Sequence, residues 1–90
     1  MKHVRINIIL KFESQRDYFC DSAKKFADEL EVTGYIKRGS DKSITIEAEG
    51  GGMALVQLVE WCKEGPQETH VDCVEIEKAE QKHYDCFKIL

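Results

Sequence analysis

The sequence lacks any apolar run approaching the ~18–20 residues that a membrane-spanning helix needs, so we expect no membrane segment. Its first residues, MKHVRI, alternate in character and lack the apolar block of a signal peptide, which predicts a cytoplasmic protein. No segment is dominated by basic residues, because 13 lysines and arginines are interleaved with 17 acids, for a net charge of −4. This balance argues against a nucleic-acid or anionic-membrane binder. It leaves room for a small phosphate-bearing ligand or a protein partner.

The cysteines also lack the spacing of a redox or metal motif. There are four of them, with no Cys-x-x-Cys pair: Cys20, Cys62, Cys73 and Cys86. They fall inside predicted helices and strands, which favours reduced core thiols over disulfides. The pattern His-x-Asp-Cys occurs at 70–73 and again at 83–86, and these are zinc-type ligands. Residues three apart on a strand point to opposite faces, so we expect no metal site.

Five strands and two helices are predicted from the spacing of apolar residues. The strands lie at 4–10, 32–38, 44–49, 71–76 and 86–90. The first is expected to be central, because both of its faces carry apolar residues, and the last is expected at an edge. The phase of the fourth strand slips near Cys73 and Val74, as a bulge would make it.

Each predicted helix has one apolar face. In the first helix that face consists of Phe19, Ala23, Phe26, Ala27 and Leu30. In the second, which runs from Met53 to Glu64, it is predicted to consist of Leu55, Val56, Val59 and Cys62, with Leu58 and Trp61 at its margins. Gly65 and Pro66 end this second helix.

The order of these elements is β-α-β-β-α-β followed by a short terminal strand. Two helices can cover only one face of such a sheet, which predicts an α+β ferredoxin-like two-layer sandwich: an antiparallel sheet with both helices on one face. No linker or low-complexity segment interrupts the 90 residues. We therefore expect a single domain over residues 1–90, acting as a monomer.

The connection between the first strand and the first helix, FESQRDYFC at 12–20, contains no glycine. A strand-to-helix connection is where backbone amides often hold an anion. The sequence allows two starting residues for the first helix. A capping box at 14–17 would begin the helix at Gln15, whereas Asp17 alone would cap a helix that begins at Tyr18.

Three blocks of the sequence resemble the acylphosphatase family. Residues 32–38, VTGYIKR, are similar to the family's V-x-G-(W/Y/F)-V-x-N strand, and 44–50, ITIEAEG, to its V-x-(V/I)-x-A-x-G strand. Residues 65–74, GPQETHVDCV, are similar to G-P-x-x-A-x-V-x-x-V. The resemblance extends from Ile8 to Leu90. It implies the family's fold and the hydrolysis of acyl phosphates to carboxylate and phosphate, with no metal or cofactor.

The family's active loop, G-x-V-Q-G-V-x-F-R, aligns without a gap on residues 12–20. Gln15 and Phe19 match it, whereas larger residues replace both glycines. The resemblance implies that Cys20 occupies the position of the catalytic arginine. It also implies that Arg38 occupies the position of the asparagine that holds the attacking water. The candidate anion-binding residues of this loop are Ser14, Gln15, Arg16, Asp17, Tyr18 and Phe19.

This chemistry depends on loop amides and a guanidinium around the phosphoryl oxygens, and on a neutral amide that orients water, because charge spreads over those oxygens in the transition state. Loss of one such donor typically costs ~10²–10³ in turnover. We therefore expect an acylphosphatase-like protein with weak or lost activity. Two alternatives stay open. One is a non-catalytic module that binds an anion or a protein. The other is a hydrolase of altered substrate in which Arg16 or Arg38 replaces the missing arginine.

Overall fold

The computed structural model describes residues 3–14, 18–39, 43–64 and 70–90, with side chains described at 4–11, 19–39, 43–64 and 74–90. The elements are β1 (His3–Ser14), α1 (Tyr18–Glu29), β2 (Thr33–Arg38), β3 (Ser43–Gly51), α2 (Gly52–Glu64), β4 (His70–Ala79) and β5 (Phe87–Ile89). The predicted order of elements is confirmed. Residues 15–17, on which the choice between the two helix starts depends, lie outside the described residues.

The strands form one sheet in the order β4-β1-β3-β2-β5, with β1 in the centre as predicted. Four strands pair antiparallel, but β5 pairs parallel to β2, so the prediction of a purely antiparallel sheet is wrong at this edge. The reason is the path of residues 80–86, which we call the crossover segment. Strand β4 ends at Ala79 beside Arg5, and Arg5 pairs with Glu49, which in turn pairs with Thr33 at the start of β2. A chain crossing at that end of the sheet must enter β5 in the direction of β2.

The core lies between the sheet and the two helices. Alternate residues of β1 and β3 point into it, as the period of two requires. They are Ile6, Ile8, Leu10, Ile44, Ile46 and Ala48. Helix α1 contributes Phe19, Ala23 and Ala27, and α2 contributes Leu55, Leu58 and Cys62. Burial of each large apolar side chain stabilises the fold by roughly 1.5–3 kcal/mol.

Helix α2 turns a different face to the core from the one predicted. Leu58 is fully buried, whereas Val56 is 56% exposed and Val59 is partly buried. Successive helical residues are about 100° apart, so a stripe through Leu55, Leu58 and Cys62 leaves Val56 on the solvent side. The two helices meet at Trp61, a margin residue as predicted, whose ring lies 5.3 Å from that of Phe19.

Two further predictions concern the bulge in the fourth strand and the burial of the cysteines. The β1–β4 pairing shifts register between Cys73 and Val71, close to the predicted bulge. Cys86 is exposed rather than packed, because the next residue, Phe87, takes the core position of β5. Cys62 is buried, as predicted. Within the described part of the chain, neither helix is long and apolar enough to cross a membrane.

Candidate functional site

The end of the sheet near Arg38 is where the resemblance predicts a site. Arg38 pairs with Ile44, and Ile44 pairs with Leu10, so these three residues form one row across β2, β3 and β1. Beyond this row β1 continues to Ser14, and α1 begins four positions later at Tyr18. The chain order and the register therefore bring the end of β2 and the start of α1 to the same end of the sheet.

Arg38 lies on the helix side of that row. It follows Ile36, a fully buried core residue, by two positions, and residues two apart on a strand share a face. The Arg38 side chain is exposed. An exposed arginine therefore lies on the helix side at this end of the sheet, where the resemblance places an asparagine.

Cys20 lies in the first turn of α1, and its side chain is only 5% exposed. It belongs to the hydrophobic core together with its neighbour Phe19. The thiol is present as a free cysteine. A small, nearly buried side chain in this position provides neither the positive charge nor the reach of the arginine that the resemblance implies.

The candidate anion-binding residues are only partly within the described structure. Ser14 is the last residue of β1 and Tyr18 the first of α1. Phe19 is fully buried, so its side chain is a core residue and is not available to a ligand. Gln15, Arg16 and Asp17 lie outside the described residues.

The described elements have this sheet order, two helices on one face, and the end of β1 and the start of α1 at the Arg38 end. This is the architecture of an acylphosphatase-like sandwich. A solved acylphosphatase from Coxiella burnetii superposes with a TM-score of 0.92 at 28% sequence identity, covering 98% of this chain and 93% of that one. The acylphosphatase from Bacillus subtilis gives a TM-score of 0.91 at 25% identity, covering 97% and 98%. These likenesses establish the ferredoxin-like fold.

Sequence comparison identifies the family. The sequence profile described as Acylphosphatase matches residues 13–89. An acylphosphatase from Pyrobaculum islandicum is 34% identical over 93 residues, which cover 100% of this chain and 97% of the relative. The chain therefore belongs to the acylphosphatase family, and the recognition made from its sequence motifs is confirmed.

A second polar cluster, on the sheet face away from the helices, was not predicted as a site. Arg5 forms an ion pair with Glu47, and its guanidinium also donates to Asn7 Oδ1 at 3.2 Å. Two tyrosine hydroxyls donate to the same carboxylate: Tyr84 to Oε1 at 2.7 Å and Tyr35 to Oε2. Only 12% of the Glu47 side chain is exposed. The tyrosine that covers Glu47 lies 37 residues away in the sequence, so no local signal shows that the crossover segment covers this face.

The pKa shifts in this cluster follow from its geometry. Burial acts to raise the pKa of Glu47, but the two tyrosine hydroxyls, Lys82 and Arg5 stabilise the anion, and the net pKa is lowered. Burial and the hydrogen bond to Glu47 raise the pKa of Tyr84 to about 12. The cluster therefore holds one carboxylate ionised and two phenols neutral at ordinary pH. We interpret it as a clamp for the crossover segment.

Among the described residues, no group of three or more His, Cys, Asp or Glu side chains could hold a metal ion.

A cleft of about 360 Å³ opens beside the crossover segment, between Tyr35 and Lys88. Its rim carries Lys82 and His83, both exposed. Because this cleft lies at the Tyr35 part of the sheet, it is separate from the Arg38 row.

Proposed function

We propose that this acylphosphatase-family protein has weak or lost acyl phosphate hydrolase activity. The observation that carries the proposal is the nearly buried thiol of Cys20 at the position that the resemblance assigns to the catalytic arginine. A buried cysteine side chain carries no positive charge, so it cannot neutralise the charge that spreads over the phosphoryl oxygens in the transition state.

The residue at the second catalytic position supports the same proposal. An asparagine side chain can both accept and donate hydrogen bonds, so it can orient a water molecule for attack. An arginine side chain has five donors and no acceptor. Arg38 therefore cannot accept a hydrogen bond from that water, although its charge would still attract an anion.

The direct test is hydrolysis of benzoyl phosphate, with the Pyrobaculum islandicum relative as the positive control. We expect turnover at least ~10³-fold below that of the relative, because each missing donor alone typically costs ~10²–10³. Turnover within tenfold of the relative would overturn the proposal.

A pair of variants shows whether the two positions are responsible. Cys20→Arg combined with Arg38→Asn restores both family side chains, and we expect a measurable rise in turnover. Cys20→Ala combined with Arg38→Asn is the matched control, because it restores only the amide, and its turnover should stay lower. Equal rates in the two double variants would show that the arginine position does not limit this chain.

A non-catalytic anion-binding role is the alternative that one observation favours: Arg38, a positively charged residue, is exposed at the end of the sheet where the resemblance predicts the site. Titration with inorganic phosphate, followed by amide chemical shifts, tests it. Saturable shifts at residues 13–19 and at Arg38 would support an anion site, whereas their absence would favour a protein partner. We further propose a monomeric, cytoplasmic protein. Gel filtration tests the monomer.

A further inference from the structure

The crossover segment lies on the sheet face away from the helices. Its first contact is with β1, where Arg5 Nε donates to the carbonyl of Glu80. Its last is with β2, where the amide of Gly34 donates to the carbonyl of Cys86 at 3.0 Å. Between these points the backbone passes over β3, and there it meets Glu49.

Glu49 accepts hydrogen bonds from three successive backbone amides of the crossover segment. The amide of His83 donates to Oε2 at 3.0 Å, the amide of Tyr84 donates to Oε1 at 3.0 Å, and the amide of Lys82 also donates to Oε2. Glu49 is only 6% exposed, so its carboxylate has been withdrawn from water into these contacts.

The backbone around these amides has the form of an anion receptor. His83 has a φ of 59°, which few non-glycine residues adopt. A residue in this conformation turns consecutive N–H groups towards one point, which makes the concave nest that binds anions in other proteins. Strained backbone of this kind persists only where its surroundings hold it, and here the carboxylate of Glu49 does so.

We propose that residues 82–84 form an anion-binding nest for a carboxylate, that Glu49 is its resident ligand, and that this contact is the latch holding residues 80–90 on the sheet. The carboxylate of Glu49, on strand β3 of the same chain, occupies this nest. A free carboxylate such as formate or acetate is the class of ligand that could take the place of Glu49.

Beyond the nest, residues 85–90 are held by the pairing of the short edge strand β5 with β2, by the amide of Leu90, which donates to the carbonyl of Ile36 at 2.9 Å, and by the buried ring of Phe87. Strand β5 has three residues, of which Phe87 is buried while Ile89 is 40% exposed and Leu90 is 66% exposed. Regions with few buried contacts open at a lower free energy than the core does. When Glu49 releases the nest, three amides lose their acceptor at once. We therefore expect residues 80–90 to open as one unit while β1 and β3 stay folded.

The charged groups around Glu49 set the pH at which the latch weakens. Arg5 stands opposite it on β1 and uncharged Thr33 on β2, while Lys82 and His83 face it from the crossover segment. Burial acts to raise the pKa of Glu49, but the amides of residues 82–84 outweigh it, and the net pKa lies below the ordinary 4.5. Because the pKa of Glu49 is lowered in the folded protein, its carboxylate contributes its full stabilisation above pH 4.5. This contribution is lost as the pH falls through the pKa that Glu49 has in the folded protein.

The test uses Glu49→Ala, with Glu75→Ala as the matched control, because Glu75 is an exposed glutamate on the edge strand β4 of the same sheet. Amide hydrogen exchange and chemical shifts are the measurements. In Glu49→Ala we expect the protection of the amides of residues 82–84 to fall at least tenfold, while that of Ile8 and Ile46 is unchanged. Formate should then restore the shifts of residues 82–84 saturably in this variant, and not in the wild type, where Glu49 fills the nest.

Three results would overturn the proposal. They are unchanged protection at residues 82–84 in Glu49→Ala, no saturable formate effect there, and, in the wild type, exchange of residues 80–90 only together with the core. If Glu49→Ala does not fold, Glu49→Gln replaces it, since it keeps the shape and removes the charge. For that variant we expect a smaller loss of protection at residues 82–84 than for Glu49→Ala. The remaining protection should not change as the pH falls below 4.5, because glutamine does not titrate. Protection that depends on pH as strongly as in the wild type would also refute the latch.

Discussion

Gly34 lies directly against the backbone of Glu47: a Cβ added to Gly34 would stand 1.8 Å from the Glu47 carbonyl oxygen. The two residues are on neighbouring strands, and Gly34 also has a φ of 135°, which side-chain-bearing residues rarely adopt. The close approach and the backbone conformation both require glycine here. This explains why the V-x-G block of the sequence carries glycine at the second residue of β2.

Gly34→Ala should therefore be strongly destabilising. We expect a loss of about 3 kcal/mol in the free energy of unfolding, because alanine would meet backbone atoms that cannot move aside and would adopt a strained φ. Urea denaturation measures it. Gly52→Ala, at the exposed start of α2 with no atom within 4 Å of the added Cβ, is the control and should be neutral or stabilising. Equal stability of the two variants would contradict the geometry.

The end of α1 offers a stabilising substitution. Glu31 has a φ of 59°, its amide donates to the carbonyl of Asp28 at 3.1 Å, and the amide of Val32 donates to that of Ala27 at 2.9 Å. This is the Schellman ending of a helix, in which glycine is the preferred residue at the left-handed position. Glu31→Gly should raise the unfolding free energy by roughly 0.5–1 kcal/mol. Lys25→Gly, at an exposed position in the middle of the helix, should lower it by about the same amount, so a loss of stability in both variants would refute this assignment.

The amphipathic elements were predictable because their apolar residues sit on one face. In β1, for instance, Ile6 and Ile8 alternate with polar residues, and the structure buries both. Helix α2 was harder, because Leu55, Val56 and Leu58 are all apolar and periodicity alone does not choose among faces. The family motifs gave the positions of the candidate site, but not the depth of Cys20 in the core.

The clamp around Glu47 could not be predicted for a different reason. Its partners are distant in the sequence: Arg5 is 42 residues away and Tyr84 is 37. The sequence pattern, a glutamate alternating with core residues, is the same whether water or a crossing segment covers that glutamate. Only the topology of the crossover segment distinguishes the two cases, and that topology depends on the parallel entry of β5.

The reactivity of the cysteines tests the burial of the Cys20 position. Cys86 is exposed, whereas Cys20 is 5% exposed and Cys62 fully buried, and burial raises the pKa of Cys62 to about 12. Iodoacetamide should alkylate Cys86 before Cys20 and Cys62, and alkylation of these two buried thiols should be at least ~10²-fold slower, because they react only after opening of the fold. Peptide mapping by mass spectrometry measures each rate. Rapid labelling of Cys20 would show an accessible thiol and would contradict the burial on which the proposed loss of activity rests.

Tyr84→Phe tests the clamp and its dependence on pH. The Tyr84 hydroxyl donates to an ionised carboxylate, and such a bond contributes more than a neutral one, so we expect a loss of about 1–2 kcal/mol near neutral pH. Because Tyr35 donates to the same carboxylate, the effects of Tyr84→Phe and Tyr35→Phe should not add, and a double-mutant cycle measures their coupling. Additive effects would show that the two hydroxyls act independently.

The loss of stability caused by Tyr84→Phe should disappear at high pH. The folded pKa of Tyr84, about 12, lies above its ordinary 10, so the stabilisation is fully present below pH 10 and disappears as the pH rises through 12. The wild type should therefore become less stable over this range, and the difference from Tyr84→Phe should shrink towards zero. Denaturation at a series of pH values measures this. A stability difference that stays constant from neutral pH to pH 12 would mean that the phenol titrates freely and that Glu47 does not clamp the crossover segment through it.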